Sequence, residues 1–171
     1  VPSEMHRILG VDLTAIPGLS AQAVLTFFCE VGPQITRFPS SKHFASWLGL
    51  CPDNRISGGK ILSSKTRNVR CRLANALRMA ATTLYRSHSA LGDYFRRLRA
   101  RLGSPAAITA AAHKLARILF AMLRDRRSFY PQLLGTLNEK HLRRRQNSLR
   151  KFAASLGFEL VPTQNLVPSV S

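Results

Sequence analysis

Between residues 68 and 125, apolar side chains return every three or four positions and arginine fills the gaps. Over Asn68–Arg86, Val69, Leu73, Ala76, Leu77, Ala80 and Leu84 fall on one stripe, with Arg72, Arg78 and Arg86 opposite and Arg70 at the boundary. A period of this kind fits a helix with one buried face and not a strand, whose side chains alternate in twos. The pattern recurs over residues 90–102, where Leu91, Tyr94, Phe95 and Leu98 face inward, Arg96, Arg97, Arg99 and Arg101 face largely outward, and Gly103 ends the segment. Ser104 then reads as an N-cap with Pro105 behind it, opening a third helix. Its stripe is Ile108, Ala111, Leu115, Ile118, Leu119 and Met122, with Lys114, Arg117 and Arg124 off it. No run of alternating apolar and polar residues argues for a sheet. The expected fold class is all-α: a packed bundle of basic amphipathic helices.

Two segments precede the bundle. Leu13–Ser20 leads through Pro17-Gly18 into Ala21–Val31, where Ser20 is a suitable N-cap, Gly32 a suitable stop, and Val24, Phe27, Phe28 and Val31 recur at helical spacing. Two helical pieces around a Pro-Gly turn are helix-hairpin-helix-like, an arrangement that presents backbone N–H groups to a phosphate and makes Gly18 a contact candidate. An ordinary helical turn reads the same way. A short helix over Lys42–Leu48 follows, with Phe44, Trp47 and Leu48 on one face and Trp47 expected in the core. Residues 50–67 lack periodicity, and Pro52, Asp53, Asn54, Gly58 and Gly59 mark them as a long loop, of the kind that often carries function. Beyond the bundle, residues 128–137 read as a connector, Asn138–Ser155 as a basic helix, and the Val161–Ser169 stretch as disordered.

Charge narrows the function. The chain carries 26 Lys+Arg against 8 Asp+Glu, a formal net charge of +18. Residues 61–151 hold 21 of the basic residues and three acids, and 20 of the 26 are arginine. Guanidinium groups fork onto phosphate oxygens and stack on bases. Solubility alone needs far less charge. A polyanion, and nucleic acid first, is therefore the expected partner. An amphipathic membrane-surface protein is disfavoured by the core-like helices, and no unbroken apolar run of membrane-spanning length is present. Cys29, Cys51 and Cys71 have neither disulfide-framework nor zinc-knuckle spacing, so free thiols in a reducing compartment are expected. The first residues do not form a signal peptide, and a chain opening on Val1 reads as part of something longer.

The acids, Glu4, Asp12, Glu30, Asp53, Asp93, Asp125, Glu139 and Glu159, do not converge in pairs, so no metal site is expected in this chain. His43 and His113 read as structural or surface residues. A nucleophile is more plausible. Ser57 stands in Ser-Gly-Gly-Lys, between Arg55 and Lys60, and Gly58 and Gly59 let a phosphate approach the backbone. A serine hydroxyl attacks phosphorus when cations stabilise the developing charge and a base takes its proton. Lys60, Lys65, Arg67 and Arg70 follow closely, with Arg72 and Arg78 beyond. A turn serine in a phosphate-contacting loop remains the other reading.

Several stretches occur in order: Gly10-Val-Asp-Leu-Thr-Ala-Ile-Pro-Gly-Leu19, Arg37-Phe-Pro-Ser-Ser-Lys-His-Phe44, Trp47 through Ser57-Gly-Gly-Lys60, Leu62-Ser-Ser-Lys-Thr-Arg67 and Ala76-Leu-Arg-Met-Ala-Ala81. Together they resemble the carboxy-terminal transposase domain of the insertion-sequence 110 family. The resemblance implies a prokaryotic, cytoplasmic and nucleoid-associated DNA recombinase. It implies Ser57 as the nucleophile that forms a 5′-phosphoserine link with DNA. It also implies a preceding acidic domain holding Mg²⁺, a guide RNA in characterised members, and no cofactor in this chain. Reaction logic adds two or more protomers. On this reading residues 1–12 are a linker from that other domain, 13–128 the serine-bearing domain, and 129–171 a basic helix and tail. Where many relatives carry Lys-x-Gly-Asn, this chain has Lys65-Thr-Arg67-Asn68. A non-catalytic DNA- or RNA-binding module is the alternative.

Overall fold

The computed structural model describes residues 2–130 and 132–160; the predicted disordered tail lies outside them. The elements run α1 (Pro2–Leu9), a 3₁₀ turn at Leu13–Ala15, α2 (Ala21–Val31), a 3₁₀ turn at Ile35–Arg37 and α3 (Ser41–Trp47). Then come β1 (Arg55–Ser57), β2 (Lys60–Ser63), α4 (Arg72–Thr83), a 3₁₀ turn at Leu84–Arg86, α5 (Ala90–Leu102), α6 (Ser104–Asp125) and α7 (Gln132–Ser155). The fold is mostly helical, as the period requires, and it divides into two compact units, one through residue 131 and one from Gln132.

In the first unit α6 is the hub: α3, α4 and α5 pack against it, and α2 packs against α4. Its alanines permit close approach, so Ala107, Ala112, Ala116, Leu115 and Leu119 are fully covered. By length and composition α6 could also cross a membrane, although Lys114 and Arg117 interrupt its apolar run; half of that window is buried inside the fold. Phe44 of α3 meets Phe120 of α6 at 6.0 Å between ring centroids. Trp47 is not the core anchor expected. It stays 40 % exposed, leaning on Phe38 and Phe44 with the Arg37 guanidinium 5.4 Å from its ring.

Three boundaries differ from the periodicity. Residues 68–71 are not helical. α4 begins at Arg72 because its N-terminus is capped from another helix: the Glu30 carboxylate of α2 accepts the Arg72 and Leu73 N–H groups, both at 2.9 Å, and the Cys71 thiol at 3.1 Å. The N-cap of α6 is Gly103, not Ser104, which becomes its first residue. The segment read as a connector is helical from Gln132 onward.

The largest correction is at residues 50–67. They form a β-hairpin arm instead of a loop. Gly58 and Gly59, at φ +56° and +75°, make a two-residue turn whose positive φ values match the twist of the flanking strands. β1 and β2 pair antiparallel with Ser57 opposite Lys60 and Ile56 opposite Ile61, and a bulge precedes the Arg55–Ser63 pair. At the root, Pro52 bridges Thr66, and the Asp53 N–H donates to the Lys65 carbonyl at 2.9 Å.

Candidate functional site

The hairpin register decides which side chains meet at its tip. Residues directly opposite share a face, as do residues two apart on one strand. Ser57 and Lys60 are opposite, and Arg55 is two residues before Ser57. All three therefore project from the same side of the arm, with the Ser57 and Lys60 Cβ atoms about 5 Å apart. Every residue from Pro52 to Lys60 is exposed. The Ser57 hydroxyl thus stands in solvent beside an ammonium and a guanidinium, at a turn where nothing lies within 4 Å of the space a Cβ on Gly58 or Gly59 would occupy. A phosphate can reach the backbone there.

Below the tip, a cavity of about 540 Å³ is lined by Asp53, Arg55, Ser63, Lys65, Thr66, Arg67 and Asn68. It brings Arg55, Lys65 and Arg67 to one concave place. Arg67 also holds the arm in position. Its Nη2 donates to the Ser46 carbonyl in the last turn of α3 at 3.0 Å, tying the arm's root to a helix C-terminus that favours a cation. A guanidinium has five N–H donors, so this contact leaves others for a ligand.

The remaining predicted contacts are not gathered there. Arg70 lies exposed between the arm and α4. Arg72 is the first residue of α4, and its N–H is already held by Glu30, which occupies the anion position at that helix end. Arg78 sits along α4 and donates to the Asn75 side chain at 3.1 Å. Gly18 lies at the far end of α4, roughly 12 Å along the helix from Arg72. Its φ is +89°, and a Cβ on it would stand 2.7 Å from the Ala80 carbonyl. Close packing on α4 therefore requires glycine at this turn.

Among the described residues no carboxylate or imidazole hydrogen-bonds Ser57, and no group of three His, Cys, Asp or Glu could hold a metal ion. Asp53 lines the cavity below the tip, and three other acids are engaged elsewhere. Asp12 caps the first 3₁₀ turn through Thr14, Asp93 pairs with Arg96, and Asp125 pairs with Arg124. The Mg²⁺ implied by the resemblance belongs to the preceding acidic domain, and the described residues offer no set that would hold it. At Cys51, near the arm's root, burial pushes the thiol up despite the nearby Arg67 and Arg117, which lowers its reactivity.

Glu30 is the residue that sequence reasoning missed. Burial alone would raise its pKa, but the Leu73 N–H, the Cys71 thiol and the Arg72 N–H together hold it below the ordinary glutamate value. Its partners lie more than forty positions away in the chain, so no local pattern marks it.

Residues 12–96 match the transposase IS116/IS110/IS902 family. Over 127 residues, covering 71 % of this chain, the sequence is 34 % identical to an insertion element IS110 uncharacterized 43.6 kDa protein of Streptomyces coelicolor. The chain spans 30 % of that protein's length. No solved structure matches. The matched segment carries the Pro-Gly turn, the arm with Ser57, and α4, and over it the chain belongs to the IS116/IS110/IS902 transposase family.

Proposed function

We propose that this chain is the DNA-engaging, serine-bearing part of a larger transposase, with Ser57 as the nucleophile of strand cleavage and transfer. The observation that carries this reading is the pairing at the arm tip, where a solvent-facing hydroxyl stands between Arg55 and Lys60 on one side of a two-glycine turn. In the proposed step the Ser57 Oγ bonds to a backbone phosphorus and the bond to the 3′ oxygen breaks. The protein then holds a 5′-phosphoserine and the other strand end a 3′-hydroxyl. The serine proton passes to a base outside the described residues, and the departing oxygen takes one up. Arg55 and Lys60 stabilise the charge that builds on the phosphoryl oxygens, where fixed cations act most strongly. Gly58, Gly59, Lys65, Arg67, Arg70, Arg72 and Arg78 would hold the DNA backbone, and Gly18 would present the turn before α2.

The acidic Mg²⁺ domain, a guide RNA, a second protomer and a cytoplasmic, nucleoid-associated setting complete the proposal. A second reading, a non-catalytic clamp on DNA or RNA, is favoured because among the described residues no carboxylate or imidazole hydrogen-bonds Ser57. One experiment separates them. The full-length protein is mixed with Mg²⁺, guide RNA and labelled DNA, then denatured. Label retained on the protein and lost in Ser57→Ala supports the nucleophile. DNA bound by both forms with no adduct from either supports the clamp.

A further inference from the structure

A second cationic surface lies away from the arm tip, where α5 packs on α6. Arg101 of α5 is exposed, and Tyr94, two turns earlier on the same stripe, is half-buried. On α6, Lys114 and Arg117 are three residues apart, so they occupy one face with His113 beside them. Arg101 and Arg117 both lie near enough to act on the Tyr94 hydroxyl, and Arg117 acts also on Cys51 at the arm's root. The cluster therefore continues from the candidate site instead of forming an island. α5 and α6 carry one acid each, Asp93 and Asp125, and these pair with Arg96 and Arg124. Arg101, Lys114 and Arg117 form none of the ion pairs among the described residues.

We propose that this shared face of α5 and α6, carried by Arg101, Lys114 and Arg117, is a second phosphate-backbone contact that holds duplex DNA running onto the body from the arm. The proposal rests on the reading of the arm as DNA-engaging. Like charges gathered without an acid are unfavourable in the unliganded protein, and a polyanion relieves them. Burial and the neighbouring Arg117 lower the Lys114 pKa, and burial with Arg117 and Lys114 lowers that of His113. Duplex is favoured over single strand because the patch offers no open aromatic platform on which an unpaired base could stack; Tyr94 is half-buried.

The test uses the full chain, a labelled DNA duplex and binding curves at several salt concentrations. The double variant Lys114→Gln/Arg117→Gln should bind more weakly and flatten the log–log salt slope by about 1.8, roughly 0.9 for each lost phosphate contact. Lys60→Gln reports the arm separately. If Lys60→Gln weakens binding and the double variant changes nothing, this surface is refuted and the arm reading stands. If neither changes binding, both are refuted. An RNA duplex whose binding alone responds to the double variant overturns the assignment to DNA. The native chain supplies an independent measurement that no misfolded variant can confuse. The His113 ring resonances should shift on addition of DNA duplex, and ring signals unmoved at saturation refute the proposal.

Discussion

Removing the Glu30 carboxylate tests the tertiary cap on which the start of α4 depends. The carboxylate accepts three donors at 2.9, 2.9 and 3.1 Å, two of them backbone N–H groups of the first turn of α4. A helix N-cap contributes about 1 kcal/mol, and a hydrogen bond to a charged group about 1.5–3 kcal/mol. These do not sum, because water replaces part of what is lost on the carboxylate's open side. We therefore expect Glu30→Ala to destabilise the protein by about 2–3 kcal/mol. Glu30→Gln, which keeps one acceptor oxygen but turns an NH₂ toward an N–H donor, should lose about 1–2 kcal/mol. For a unit of this size each kcal/mol lowers Tm by about 3–5 °C. The assay is urea denaturation followed by helical circular dichroism, where the midpoint should fall with an unchanged m-value.

The pH dependence has a definite sign. The folded pKa of Glu30 lies below its unfolded value, so the protein gains stability from ionised Glu30 above the unfolded pKa, whose ordinary value is 4.5. That stability is lost as pH falls through the folded value. The gap between the native chain and Glu30→Gln should therefore be full at pH 7 and should shrink below pH 4.5. Variants within 0.5 kcal/mol of the native chain at pH 7, about the spread of ordinary surface substitutions, would refute the capping argument. So would a gap that does not change on acidification.

Other outcomes follow from the same geometry. Gly18→Ala should cost about 3 kcal/mol, since it combines left-handed strain with a collision against the Ala80 backbone that no side-chain movement relieves; thermal denaturation checks it. Ser57→Ala should leave Tm unchanged, because the hydroxyl is exposed, and a shift of several degrees would mean that the arm tip packs on something. With a thiol reagent at pH 8, Cys29 should react first, while Cys51 and Cys71 lag because burial raises both thiols; mass mapping of the labelled peptides reads the order. Arg67→Lys should weaken the tie to Ser46, seen as faster amide exchange at the arm's root with little change in global stability.

The helical body was legible in the sequence because its signal is repetitive. Leu73, Leu77, Ala80 and Leu84 each repeat the evidence of the last, and the structure buries all four. The arm was not legible as a sheet, because strands of three and four residues are too short to show alternation, and a bulge breaks what alternation there is. Gly58-Gly59 is the available hairpin signal, but without alternation beside it the pair reads as a loop marker and a place for a phosphate to approach the backbone. At the site, Arg55, Ser57 and Lys60 were readable as neighbours because they are close in the chain. Contacts made across the fold were invisible for the opposite reason. The Arg67 tie to Ser46, the Gly18 approach to Ala80 and the Glu30 cap each join residues more than twenty positions apart.

The arm has a narrow footprint. It leaves the body at Pro52–Asp53 and returns at Lys65–Thr66, a gap one strand spacing wide, about 5 Å. The tip residues Asn54–Lys60 are solvent-facing, and what closes the gap is the backbone pairing of Asp53 with Lys65 and of Pro52 with Thr66. A short turn grafted from Asn54 to Ser64 would close the same gap. On the proposed reading the part that would meet the phosphate is an interchangeable tool on a fixed handle: Ser57 and its flanking Arg55 and Lys60 are exposed and can be altered or lost by mutation without consulting the hydrophobic core. On that reading the tip residues Ser57 and Lys60 lie outside the core, so a copy that has lost its serine can keep its fold.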